Sequence, residues 1–288
     1  MREFEQDFRF ATSFARMLPD FIVAGETKCG TTSLYHYVTQ HPRILRADVK
    51  EPSNFWKYGG SVFLCRMHYP FAVRRWLGRL AGRRILTGEA SAEYFAKSVV
   101  PENILHVVPR AKIIVLLRNP VTRAYSDHQM FARDMPAHDS FEECARRSVD
   151  WIRDERVAPL VEAVSQLERH PVRFVHRGLY VIPARRWLAR FPKESILFLK
   201  SEDLFEDPQR VTDGVLRYLG LDPHPLKDAS ARKKGRYSSA LTPAAVRLLG
   251  EFYRPYNEQL YELLGRDFGW EAETERLRRE IGQAASDS

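Results

Sequence analysis

Cysteine is scarce, with three in 288 residues at Cys29, Cys65 and Cys144. Their wide spacing excludes a disulfide framework and a cysteine zinc site, and it fits a reducing compartment. Long apolar runs are missing. Strongly apolar stretches such as Phe21–Gly25 and Ile113–Leu117 are short, whereas a membrane helix needs about 20 such residues. The first ten residues, MREFEQDFRF, are charged throughout and lack the apolar core of a signal peptide. A cytoplasmic protein with no membrane partner is expected. No internal repeat and no low-complexity tract occurs. Lysine is also sparse, supplying 10 of the 45 basic residues, the other 35 being arginine. Guanidinium favours planar anions, phosphate among them. The net charge of +8 suits an anionic ligand but also a plain solubility bias. Against these shortages, 44% hydrophobic and 28% charged residues are ordinary for a globular protein and exclude wholesale disorder, collagen and coiled coil.

Strand-length apolar runs alternate with longer periodic stretches. Asp20–Gly25, Arg84–Gly88, Ala111–Arg118 and Ser195–Lys200 read as strands. Ala111–Arg118 (AKIIVLLR) is continuously apolar, as in a strand covered on both faces. Helices are expected over Thr31–Gln40, from Asn119-Pro120 to about Ala132, from Asp207-Pro208 to about Leu219, and from Thr242-Pro243 onward. The Asn-Pro and Asp-Pro pairs each supply an N-cap followed by proline at the first helical position. This alternation predicts an α/β protein, one central parallel sheet flanked by helices. No composition break divides it, so residues 1–288 are expected to form a single domain. Its core spans about 18–270, and QAASDS is a frayed tail.

Two segments carry the chemistry. After the first strand, G-E-T-K-C-G-T-T-S leads into a helix. Strand, glycine-containing loop and helix is how α/β proteins hold phosphate, on backbone N–H groups and the positive helix end. Gly25 and Gly30 have Walker A spacing. Thr31 replaces the lysine of that motif, and the lysine has moved inside the loop as Lys28. Gly30, Thr31, Thr32 and Ser33 can hold a phosphate while Lys28 faces the atom bonded to it. The other reading is an ordinary βα turn. Cys29 is either a reactive thiol at a helix N-terminus or a small filler. The second segment, R-N-P-V-T-R-A-Y-S, puts Arg118 at a strand tip, where open α/β sheets bind ligands. Arg118 and Ser126 can hold a second phosphate by charge-assisted bonds, or Arg118 can simply pair with a carboxylate. Arg123 and Ser126, three apart, share a helix face.

K-C-G-T-T-S-L at Lys28–Leu34 and R-N-P-V-T-R-A-Y-S-D at Arg118–Asp127 resemble the 5′-phosphosulfate loop and 3′-phosphate motif of the sulfotransferases that use 3′-phosphoadenosine 5′-phosphosulfate (PAPS). The chain is similar to their heparan-sulfate-type branch, the 3-O- and N-sulfotransferases and bacterial relatives. Supporting segments are K-E-P-S-N-F-W at Lys50–Trp56, G-E-A-S-A-E-Y-F at Gly88–Phe95, R-G-L-Y at Arg177–Tyr180 and F-P at Phe191–Pro192. K-G-R at Lys234–Arg236 and F-Y-R-P-Y-N-E-Q-L-Y at Phe252–Tyr261 complete the set. Ala90 stands where branch members with polysaccharide acceptors often carry lysine.

The resemblance implies a P-loop-like sulfotransferase fold with PAPS as co-substrate, PAP as product and no metal. It implies a catalytic pair, Glu51 as general base and Lys28 stabilising the leaving group. It implies a nucleotide site of Lys28, Cys29, Gly30, Thr31, Thr32, Ser33, Arg118, Ser126, Lys234, Gly235 and Arg236. On the substrate side it implies Glu51, Trp56, Glu89 and Ser91. The acceptor is then a small molecule or carbohydrate, and the whole resembles a cytoplasmic bacterial enzyme of secondary metabolism. Burial beside Phe55 and Trp56 is expected to raise the pKa of Glu51; its alternative is a first-turn helix glutamate favoured by the dipole. Lys234 and Arg236 are otherwise a solvated basic loop. His36, His68 and His128 are further candidate bases outside any matching segment, and packing or surface roles suit His36 and His128 better. Aromatics in 55–80 and 130–176, among them Trp56, Tyr58, Trp76 and Trp151, are expected to shape the acceptor pocket. A nucleotide or small-molecule kinase using the Gly25 loop competes with this reading, and a basic nucleic-acid-binding module ranks last.

Overall fold

The strands form where apolar residues run without interruption. In the computed structural model, which describes residues 2–134, 140–154, 173–230 and 241–286, β1 spans Phe21–Gly25 and β2 spans Ile44–Arg46. β3 spans Leu86–Ala90, β4 Lys112–Leu117 and β5 Ile196–Lys200. They build one five-stranded sheet in the order β2-β3-β1-β4-β5. Pairing of β1 with β3, β1 with β4 and β2 with β3 is parallel, with Phe21 opposite both Gly88 and Lys112. Every residue of β1 and β3 is buried, as a parallel sheet covered on both faces requires. The α/β architecture expected from the sequence is the one observed.

β2 was not expected. A strand of three residues at the sheet edge carries no periodicity to read. The other strands lie where the apolar runs place them, within about two residues. So do the helices Thr31–Val38, Pro120–Asp134, Pro208–Tyr218 and Pro243–Leu264. Their starts follow the capping chemistry. Asn119 Oδ1 accepts from Val121 N at 3.0 Å, Asp207 Oδ1 from Arg210 N at 2.9 Å and Thr242 Oγ1 from Ala245 N at 3.1 Å.

The chain groups into two compact units. The first comprises Met1–Glu26, Gly30–Leu116 and Arg186–Lys233 and holds the sheet. Trp187, fully buried, anchors its helix there by donating from Nε1 to Phe95 O at 3.1 Å. β1 lies centrally between β3 and β4, so the loop after β1 sits at the point where connections leave in opposite directions, the usual ligand position in such sheets.

The second unit comprises Thr27–Cys29, Leu117–Arg185 and Lys234–Ser288. Its apolar core joins Val121, Phe141, Val149, Phe174, Leu249 and Tyr253 with their neighbours. Trp151 packs against this core. Within it Arg123 is fully buried, paired to Asp127 at 3.2 Å and donating to Phe174 O. Burial alone raises the pKa of Asp127, but the guanidinium groups of Arg123, Arg177 and Arg173 outweigh it and hold the carboxyl below its ordinary value. Arg123 is therefore a structural cation, and Arg177 of the R-G-L-Y segment belongs to the same cluster.

Candidate active site

The loop after β1 is shaped by two residues with left-handed backbone. Gly30, at φ 87°, is the N-cap of the Thr31–Val38 helix, and Leu34 N donates to its carbonyl at 3.0 Å. A helix leaves its first N–H groups without an intrahelical acceptor; here they belong to Thr31, Thr32 and Ser33. Thr31 and Ser33 are buried, and Thr32 is half-buried. Lys28 has φ 72°, a conformation that costs a residue with a Cβ roughly 1–2 kcal/mol. Its Nζ lies 3.7 Å from Met130 Sδ. Cys29 is fully buried, 3.8 Å from Thr27 O, which makes it a filler and not an accessible thiol.

Arg118 follows β4 directly. Its Nη1 donates to the carbonyl of Lys28 at 3.3 Å and its Nε to Thr122 Oγ1 at 3.0 Å. Tyr180 Oη donates to Arg118 O at 2.9 Å, so the R-G-L-Y segment fixes the strand tip. The structure thus brings the lysine of the first motif and the arginine of the second into contact. Ser126 is buried on the helix that follows.

The residues expected on the substrate side, Glu51, Trp56, Glu89 and Ser91, lie in the first unit. Glu51 has φ 50° and Ser53 φ 54°, with Pro52 between them. A residue before proline is restricted already, so this turn is strained twice over. Hydrogen bonds hold it. Ser53 N donates to Ser91 Oγ at 3.2 Å, and Phe55 N donates to Tyr94 Oη at 3.1 Å. Among the described residues, Lys28, Glu51 and Ser53 are the only non-glycine residues at positive φ. Strain of this kind concentrates at functional sites.

Two expectations need correction. Glu51 is not enclosed by Phe55 and Trp56: its side chain is 42% exposed, with Lys50 Nζ at 3.8 Å. The turn that carries it also keeps it out of any helix, since the next one begins at Asn54. The buried carboxylate is instead Glu89, on β3, with no exposed surface. Burial pushes its pKa up to about 7, against the pull of the Tyr94 and Tyr69 hydroxyls. Neither Glu89 oxygen completes a hydrogen bond of normal geometry. Glu89 adjoins Tyr94, which with Ser91 tethers the Glu51–Phe55 turn. Trp56 is 37% exposed, and the ammonium of Lys97 sits 4.3 Å over its ring. Sequence reading missed Lys97, a buried lysine three residues beyond Tyr94. Only the unusual placing of a cation inside the Gly88–Phe95 neighbourhood could have marked it.

The sulfotransferase domain family matches residues 18–234, three quarters of the chain. The chain belongs to the sulfotransferase domain family. Human heparan sulfate glucosamine 3-O-sulfotransferase 6 is 32% identical over 279 residues, covering 88% of this chain and 74% of that protein. Human carbohydrate sulfotransferase 15 is 28% identical over 310 residues, covering 88% of this chain and 55% of that protein. A sulfotransferase crystal structure from Alicyclobacillus acidocaldarius shares the fold with a TM-score of 0.65 and 26% identity, covering 88% of this chain and 99% of that one.

This sulfotransferase is thus a transferase of sulfuryl groups, and the kinase reading of the Gly25 loop gives way because the family match includes that loop. Of the other candidate bases, His36 Nε2 contacts Asp228 at 3.2 Å and His128 is buried among Phe141 and Phe174. Burial lowers the pKa of His68. Lys234, Gly235 and Arg236 lie outside the described residues. No helix among the described residues is long and apolar enough to cross a membrane.

The enclosed Glu89 makes a prediction of its own. Its folded-state pKa lies above the ordinary 4.5, so folding favours the protonated acid. The stability it contributes is complete below about pH 4.5 and is lost as pH rises through about 7, on the order of 3 kcal/mol. Glu89→Gln flattens the unfolding free energy between pH 5 and pH 8 in denaturant titrations. An unchanged slope would assign the pH dependence to another group.

Proposed function

We propose that this chain, acting as one domain, transfers the sulfuryl group of PAPS to a hydroxyl or amine of a small-molecule or carbohydrate acceptor, releasing PAP. The observation that carries the reading is the coincidence of strain and chemistry. Lys28 and Glu51, which the motif resemblance assigns to the leaving group and the proton, are two of the three described non-glycine residues at positive φ.

The residues present suit an adenine nucleotide with phosphates at both ends of its ribose. Gly30, Thr31, Thr32 and Ser33 offer a helix N-terminus to the 5′-phosphate, and Lys28 offers an ammonium to the oxygen that departs. Arg118 and Ser126 offer a guanidinium and a hydroxyl to the 3′-phosphate. Glu51 takes the proton of the acceptor as its oxygen or nitrogen bonds to sulfur, while the bond from sulfur to the phosphate oxygen breaks. In-line transfer of this type depends mainly on positioning and on compensation of developing charge. The exposed Glu51 and half-exposed Trp56 face an acceptor from solvent, and Ser91 acts by holding the Ser53 amide. The similarity to enzymes named for heparan sulfate and carbohydrate favours a sugar hydroxyl as acceptor.

Mass spectrometry across an acceptor panel tests the reaction by the gain of one SO₃. The nucleotide assignment is tested by Arg118→Ala. This variant weakens PAPS at least about tenfold more than adenosine 5′-phosphosulfate, which lacks the 3′-phosphate, as expected for loss of a charge-assisted contact. Because Arg118 also supports the Lys28 carbonyl, damage to the loop alone would weaken both donors equally, and that result would remove Arg118 from the 3′-phosphate site.

A further inference from the structure

From Pro52 to Gly88 the chain runs 37 residues without an aspartate or glutamate, while carrying seven lysines and arginines. Five of the seven, Arg74, Arg75, Arg79, Arg83 and Arg84, fall within 11 residues. The Val73–Leu80 helix lies in this stretch and buries none of its residues. Val73, Trp76, Leu77 and Leu80 are spaced i, i+3, i+4 and i+7, so they share one face. That face is in solvent: they are 54%, 58%, 53% and 68% exposed. The helix rests on the protein by its other side. Arg75 pairs with Asp20, and Gly78 packs so closely on Ile85 that a Cβ there would lie 2.3 Å from it. The apolar surface continues through Phe71 to Phe14, which is 70% exposed, across the hydrogen bond from Ala72 N to Ala15 O at 2.8 Å.

Arginines border this stripe. Arg75, Arg79, Arg83 and Arg84 line an open hollow beside Asp20. Arg74, Arg79 and Arg83 are exposed and make no ion pair with a described residue. Asp20 is already committed to Arg75 and to Thr87 N, which donates to it at 2.8 Å. The patch lies beside the first residues of β1 and β3, at the opposite end of those strands from Gly25 and Ala90. Trp76, expected from sequence to line an acceptor pocket, is here instead.

We propose that this face docks on an anionic lipid bilayer, with Trp76, Leu77 and Leu80 entering the interface and the arginines meeting the lipid phosphates and carboxylates. A short basic helix with an exposed apolar stripe is the composition that binds in the plane of a membrane surface. A second copy of the chain fits poorly, because pairing two such faces sets arginine against arginine. A sulfated polysaccharide would satisfy the arginines but leave the apolar stripe in water, and at the wrong end of the strands for reaction. The expected lack of a membrane partner came from the missing spanning run, which a surface helix does not need.

The test is sedimentation of the full chain with vesicles of phosphatidylcholine alone or mixed with phosphatidylserine. The chain sediments with the mixed vesicles at least about tenfold more than with neutral ones, and high salt releases it. Leu77→Ser with Leu80→Ser, and Arg79→Glu with Arg83→Glu, each remove most of the binding. Trp76→Phe keeps it but abolishes quenching by brominated acyl chains. All these side chains are exposed, so circular dichroism and Tm of the variants match the parent. Three results would each overturn the proposal: no sedimentation, binding indifferent to the apolar substitutions but displaced by heparin, or a dimer in solution that the same substitutions dissociate.

Discussion

Lys28→Ala lowers turnover by about 10²–10³-fold, the loss expected when a fixed positive group is removed from a departing oxyanion. The structure makes this prediction sharper than a bare charge deletion. Lys28 holds φ 72°, so the loop bears backbone strain that alanine retains and glycine relieves. Lys28→Gly therefore has a higher Tm than Lys28→Ala, while both lose the same catalytic factor. Activity that follows stability instead of charge would assign Lys28 to the loop's shape. Lys28→Arg keeps a positive charge and recovers part of the rate, but guanidinium is a planar fork and not a point charge.

Glu51→Gln is the second large effect. Turnover falls by about 10²–10⁴-fold, the range for a general base, while PAP affinity measured by calorimetry is unchanged. Glutamine keeps the volume and the strained backbone, so the variant isolates the carboxylate. Tm measured beside turnover separates loss of the carboxylate from damage to the turn. A variant that turns over at the parental rate would exclude Glu51 as the base. Loss of activity in Tyr94→Phe, which removes the acceptor for Phe55 N, shows how far the base depends on the turn that carries it.

Much of this fold is legible in the amino-acid sequence. β4 can be read from KIIVLL because a strand covered on both faces shows no alternation, and the helix after it from Asn119-Pro120 because capping chemistry is local. β2 cannot, being three residues at an edge. The two phosphate motifs are legible because glycine, lysine and hydroxyls recur at fixed spacing after a strand. The Glu51 environment is not. Neighbouring Phe55 and Trp56 suggest enclosure, yet Phe55 turns inward while the Glu51–Ser53 backbone turns the carboxylate out. Which of two glutamates is buried depends on strand position. Glu89 is in β3, between other strands, and Glu51 is in a turn.

The most direct measurement of the central claim is a crystal structure with PAP bound. The 5′-phosphate is expected at the N-terminus of the Thr31–Val38 helix with Lys28 Nζ in hydrogen-bond contact, and the 3′-phosphate on Arg118. A nucleotide seated there with Lys28 directed away from it, or with Arg118 on no phosphate, would contradict the account.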